Sequence, residues 1–130
     1  MLDRQTEVLY HPRTLLDPAG IARALCLAPH PDDEVFGCAG LLALLAAQGC
    51  APATLIFTQG ELGAEQGGST LAQQRRSESE QAARTLGLPP PQFAQFPDRG
   101  LVYAQPLIER IAHAIAQHQP SHLLLPALSE

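Results

Sequence analysis

The chain has 130 residues, 45% of them apolar, a net charge of −5 and eight arginines but no lysine or tryptophan. That composition is one of a single globular domain rather than a disordered segment. It carries no basic stripe, which disfavours nucleic acid or an anionic membrane as partner, and its longest apolar stretch, residues 39–47, is too short to cross a bilayer.

Residues 1–20 hold Pro12, Pro18 and Gly20 with little periodicity and read as an irregular arm ahead of a domain over 21–130. The opening MLDRQTEVLYHPR lacks the apolar run of a secretory signal. Cys26, Cys38 and Cys50 are sparse and lack a C-x-x-C spacing, so reduced thiols and a cytoplasmic location are expected. Ala24–Ala28 is a short apolar run, expected as a buried strand. Cys38–Gln48 is apolar almost all round, which predicts a buried helix closed by Gly49. Residues 53–58, ATLIFT, predict a second strand.

A Gly/Glu loop over 59–68 leads to a helix beginning at Thr70, with Gln73 completing a capping box, and ending at Gly87. Three prolines, 89–91, make a rigid connector to a third strand over Phe93–Phe96. Pro106 suits the first turn of a third helix, whose apolar face is Leu107, Ile108, Ile111, Ala112 and Ile115. After Pro120, His122–Leu125 predicts a fourth strand. Strands separated by full helices imply an α/β fold, Rossmann-like, with a mainly parallel sheet between two helical layers. Ligands of such sheets bind beyond the carboxyl ends of the strands. The polar clusters His30–Glu34, Gln59–Glu65 and Asp98–Arg99 all follow strands and are expected at that one edge.

Ala28-Pro29-His30-Pro31-Asp32-Asp33-Glu34 concentrates a histidine and three carboxylates directly after the first strand. His30 and Asp33, three apart, are spaced to converge on one cation, and Zn²⁺ accepts nitrogen and oxygen donors while keeping a water position open. Asp32 is then free to act as general base on that water. Glu34, at the mouth of the following helix, suits the helix dipole and has a structural role, a ligand-orienting one, or both. The plainer alternative for D-D-E alone is an acidic turn capping a helix. His11, His113, His118 and His122 read as surface or internally satisfied histidines.

This signature resembles that of the N-acetylglucosaminyl-phosphatidylinositol de-N-acetylase (PIG-L/LmbE-like) family. Further resemblances follow in order: Thr58-x-Gly60-x-x-Gly63, Arg75-x-x-Glu78 with Ala82-Ala83-x-x-Leu86-Gly87, and Phe96-Pro97-Asp98-x-Gly100. The resemblance covers residues 22–130. It implies a zinc-dependent amidohydrolase with one Zn²⁺ per site that removes an N-acetyl group from an amino-sugar conjugate. His30 and Asp33 match its metal ligands, Asp32 its general base, and Arg75 and Asp98 positions that contact the sugar or an attached group. The family's third ligand comes from a His-x-x-His-type segment after the fourth strand, where this sequence has only Ala127–Glu130. The expectation is therefore the N-terminal portion of such a domain, with a complementing C-terminal segment or a homo-oligomer as partner. The competing expectation is a non-catalytic module of the same fold that binds a sugar or a partner.

Overall fold

The computed structural model describes residues 16–62 and 68–126. A single 3-10 turn at Pro18–Gly20 precedes β1 (Ala24–Ala28), α1 (Asp33–Ala47), β2 (Ala53–Thr58), α2 (Ser69–Leu86), β3 (Gln92–Phe96), α3 (Gln105–His118) and β4 (His122–Leu124). The first fifteen residues of the expected arm, Gly63 of the glycine loop and residues 127–130 lie outside the described part.

All four strands are parallel, in the order β3-β2-β1-β4. Side chains alternate across a strand, so Leu25, Leu27, Leu55 and Phe57 share one face, which Leu107, Ile111 and Ala114 of α3 cover. On the other face Ala24 packs with Ile21 against Leu41 and Leu45 of α1, and α2 lies beside α1. Helices on both faces are what the unbroken apolar pattern of β1 requires, since each of its residues is buried. Each Leu or Ile fully buried in this way contributes about 1.5–3 kcal/mol.

The chain advances from β1 through β2 to β3 and then returns past β1 to place β4 on its far side. Ser121 fixes that return, because its N–H donates to Arg23 O at 2.9 Å and its Oγ accepts from Arg23 N–H at 3.1 Å. A reversal of strand order opens a crevice between the carboxyl ends of the two strands that diverge there, here β1 and β4.

Four local expectations need correction. Helix α1 begins at Asp33, not Cys38, because Asp33 and Glu34 form its first turn, where the macrodipole favours carboxylates. It is also not a buried helix: Leu42 and Leu45 face the core, but Phe36 is 87% exposed, and Gly37, Gly40 and Leu44 are exposed on the same side. Helix α2 starts one residue early, with Gly68 as its N-cap and no side-chain cap bond, so Thr70 and Gln73 form no capping box. β3 starts at Gln92 and carries a one-residue bulge: Ile56 pairs with Phe93, but Thr58 pairs with Phe96. Gln95, in the bulge, is left-handed at φ 61°.

Candidate functional site at the switch between β1 and β4

The motif turns sharply between β1 and α1. Asp32, the N-cap, adopts φ 113°, a left-handed conformation that costs an ordinary L-residue on the order of 1–2 kcal/mol. Its carbonyl accepts from both Val35 N–H and Phe36 N–H at 2.9 Å, which starts the helix. Glu34 holds the other side of the turn. Its Oε2 accepts the Asp32 N–H at 3.0 Å, its side chain pairs with Ser79 of α2, and only 5% of the residue is exposed. Burial pushes the Glu34 carboxyl above its ordinary value, although hydrogen bonds from its own N–H, Asp32 N–H and Ser79 pull it down. Glu34 is thus the structural peg of the motif, fastening the strained turn to α2.

His30 and Asp33 stand side by side. The Asp33 Oδ2 accepts the His30 N–H at 2.9 Å and lies 3.4 Å from His30 Nδ1. Two donors about 2.0–2.1 Å from a tetrahedral zinc ion are themselves about 3.3–3.4 Å apart, so this pair already has the spacing of two ligands. Both line a cleft of about 510 Å³ whose walls come from β1, the first turns of α1, Leu124 at the end of β4, and Leu125 and Pro126 beyond it. Among the described residues, no third His, Cys, Asp or Glu joins them in a metal-sized cluster. His118 is bonded to Gln92 and His122 to Ser121 Oγ, as internally satisfied histidines should be.

Asp32 faces a second cleft of about 270 Å³ between α1 and α2. There its Oδ2 lies 3.8 Å from an Arg75 guanidinium nitrogen, which is also 3.8 Å from Glu78. Burial and the adjacent Asp33 charge raise the Asp32 carboxyl above its ordinary value, against the opposing charges of Arg75 and His30. A carboxylate raised in this way is a better proton acceptor near neutral pH.

Asp98 does something that its place in the sequence does not announce. Its Oδ1 accepts Gly60 N–H and its Oδ2 accepts Leu62 N–H, both at 2.9 Å, while Glu61 Oε1 accepts the Asp98 N–H at 2.8 Å. The β2–α2 loop and the turn after β3 are therefore latched together. Burial alone would raise Asp98. The N–H groups of Leu62 and Gly60, the Thr58 hydroxyl and the charge of His30 outweigh it and hold the carboxyl below its ordinary value. Thr58 Oγ1 exerts this influence from a fully buried position without a well-aligned hydrogen bond.

Gly60 is the meeting point. At φ +70° its backbone is left-handed, and a Cβ there would come within 3.3 Å of both Pro31 and Arg75. Its lack of a side chain lets the second loop lie against the motif. Gly100 closes the latch turn, with its N–H on Pro97 O at 2.9 Å, and a Cβ there would meet that same oxygen at 2.8 Å. Gly100→Ala should cost about 1–3 kcal/mol by overpacking, and each kcal/mol lost should lower the melting temperature by about 4 °C in a chain of this size. An unchanged thermal transition would contradict this reading of the turn.

The structure sets His30 against Asp33 in one cleft and Asp32 against Arg75 in the other, and Asp98 reaches the same edge through Gly60. Ser79 was not anticipated. Its signal was its place four residues after Arg75, on the same face of α2.

Comparison with known proteins bears on the fold and the family. Residues 25–130 match the family model described as PIG-L: GlcNAc-PI de-N-acetylase. A diacetylchitobiose deacetylase of Thermococcus kodakarensis is 30% identical over 109 residues, covering 82% of this chain and 41% of that protein. The structure of N,N′-diacetylchitobiose deacetylase from Pyrococcus horikoshii superposes with a TM-score of 0.78 at 28% identity, covering 90% of this chain and 46% of that one. GalB, the 4-carboxy-2-hydroxymuconate hydratase of Pseudomonas putida KT2440, is also similar, with a TM-score of 0.69 and 27% identity over 78% of this chain and 45% of its own. The chain thus spans less than half the length of these relatives. With the family model matched from the first strand onward and the parallel fold shared, this chain belongs to the PIG-L, GlcNAc-PI de-N-acetylase family.

Proposed function

We propose that this chain carries the water-activating edge of a zinc-dependent de-N-acetylase acting on an N-acetylated amino-sugar conjugate. The observation that supports the reading best is the 3.4 Å pairing of His30 Nδ1 with Asp33 Oδ2 in an open cleft, next to a carboxylate with a raised pKa. The donor set suits zinc as two of the three protein ligands of a catalytic site, the third lying outside the described residues. When bound, zinc would supply Lewis-acid polarisation and a lowered pKa for water. Asp32 accepts the proton of the attacking water and returns it to the departing amine. Arg75 holds Asp32 by its charge and faces the sugar or its attached group. Asp98 sets the β2–α2 loop against Pro31, which fixes that side of the substrate space. Domain limits of 21–130 for the catalytic portion, a cytoplasmic site of action and completion of the centre by a further segment or a second copy belong to the same proposal. No helix among the described residues is long and apolar enough to cross a membrane.

The test is acetate release from N,N′-diacetylchitobiose by a form of the protein that includes a third ligand. Release should stop on chelation and return with zinc. Residues 1–130 alone should release little acetate and lose their zinc on dialysis. Release that survives complete chelation would remove zinc from the reading. Hydration of a carbon–carbon double bond without amide hydrolysis would place the chemistry nearer the hydratase relative.

A further inference from the structure

A further groove, about 220 Å³ in volume, lies between α2 and β3 and holds none of the residues assigned above. Ser69, Gln73 and Arg76 recur at the three- and four-residue spacing of one helix face and form one wall. Phe93 and Gln95, two apart on β3, form the other, while Phe96 packs with Phe57 on the opposite face of the sheet. Gln59, directly after β2, completes the lining. Neighbouring glutamines are already committed: Gln74 donates to Glu78 at 2.8 Å, and Gln92 is shared between His118 and Arg110. Among the described residues, the amides of Gln59, Gln73 and Gln95 have no such partner.

Two features set this groove apart from a solvated gap. The Arg76 guanidinium lies over the Phe93 ring, 4.6 Å from its centre, and its Nε donates to Glu80 at 3.1 Å. That fixes a fork of donors at the wall while Glu80 matches its charge. Gln95, in turn, holds its place at a cost. Its backbone is left-handed at φ 61° in the bulge of β3, a conformation that glycine adopts freely and glutamine does not. Bulges of this kind re-aim a side chain beside a site.

We propose that this groove binds one neutral sugar ring and so forms a glycan subsite separate from the His30–Asp33 cleft. A primary amide offers both donors and an acceptor, which matches a ring hydroxyl that itself donates and accepts. Three such amides, the Ser69 hydroxyl and the fixed Arg76 fork supply partners for several hydroxyls of one ring. The volume falls below the about 300–1,000 Å³ of clefts that take drug-sized ligands, so a single ring is the unit that fits. No carboxylate lines the groove to capture a cation, and the Arg76 charge is already on Glu80, which leaves a neutral ligand as the match. Arg75 lines the Asp32 cleft and Arg76 this groove, so adjoining faces of α2 serve the two. Binding here needs neither zinc nor hydrolysis.

The experiment titrates the 130-residue chain with N-acetylglucosamine at millimolar concentration and follows the side-chain amide resonances of Gln59, Gln73 and Gln95 by NMR. The three should move together and saturate. The response should survive His30→Ala, which separates this groove from the cation site. Gln73→Ala should weaken sugar binding about two- to tenfold, the loss of one hydrogen bond. Gln95→Gly should weaken it as much while raising the melting temperature, because glycine relieves the left-handed strain. A glutamine serving only the bulge would not change sugar binding. The proposal is overturned if the three amides stay still, if His30→Ala abolishes their response, or if the response persists unchanged in both glutamine variants. Equal movement with acetate or inorganic phosphate would also overturn it, since the groove would then be an anion site.

Discussion

Asp32→Asn should reduce amide hydrolysis by about 10²–10⁴-fold, the range for loss of a positioned general base, while zinc content stays unchanged. The comparison belongs in a hydrolytically active form that includes the third ligand. The two parts of the expectation separate two roles. If Asp32 were a metal ligand, zinc would be lost with activity. If it served only to cap α1, asparagine would replace it with little effect, because asparagine is as good an N-cap as aspartate and also tolerates the left-handed conformation. Unchanged turnover would remove Asp32 as the base. The ion pair with Arg75 at 3.8 Å is solvent-exposed and supplies at most about 1 kcal/mol, so its loss alone falls short of the expected effect.

The second large effect belongs to Asp98. Asp98→Ala removes the acceptor for Gly60 N–H and Leu62 N–H together and leaves only the backbone N–H of residue 98 on Glu61 to tie the β2–α2 loop to the turn after β3. Hydrogen bonds to a charged group contribute about 1.5–3 kcal/mol each. Leu62 is exposed, so water replaces its acceptor readily, and the net loss should be about 2 kcal/mol. The pH dependence gives the sign. The folded-state carboxyl lies below its ordinary 3.8. Its contribution is therefore complete above the unfolded value and is lost as pH falls through the lower, folded one. Wild type should shed that stability on the acid side of 3.8, and Asp98→Ala should show no corresponding fall. Chemical denaturation across that range decides the matter. Equal stability of the two proteins at neutral pH would mean that the latch holds nothing.

The family resemblance implies a sugar contact at Asp98, and the structure shows both of its oxygens engaged by backbone. Those statements meet in one consequence: substitution there should change substrate affinity through the loop as well as through any direct contact.

Elements whose pattern is local were legible in the sequence. β1 and β2 fell where their apolar runs end, because buried parallel strands need unbroken apolar residues and nothing else competes for those segments. The motif was legible because four titratable groups after a strand have few structural explanations. The start of α1 was not, since the apolar run marks the helix only from Cys38 and leaves Glu34 at its mouth, although Asp33 and Glu34 already form the first turn. Nor was the exposure of Phe36, Gly37, Gly40 and Leu44, because a helix apolar on every side gives no phase from which to choose a face. The bulge at Gln95 leaves no mark in residue type. The latch joins positions 36–38 residues apart, and only the topology that sets β2 beside β3 brings them together.

Zinc titration of the 130-residue chain followed by NMR decides whether His30 and Asp33 form a cation site. The His30 imidazole and the Asp33 carboxyl should respond together, His113, His118 and His122 should remain still, and His30→Ala should abolish the response. Zinc binding undiminished by His30→Ala, or centred on the other histidines, would contradict it.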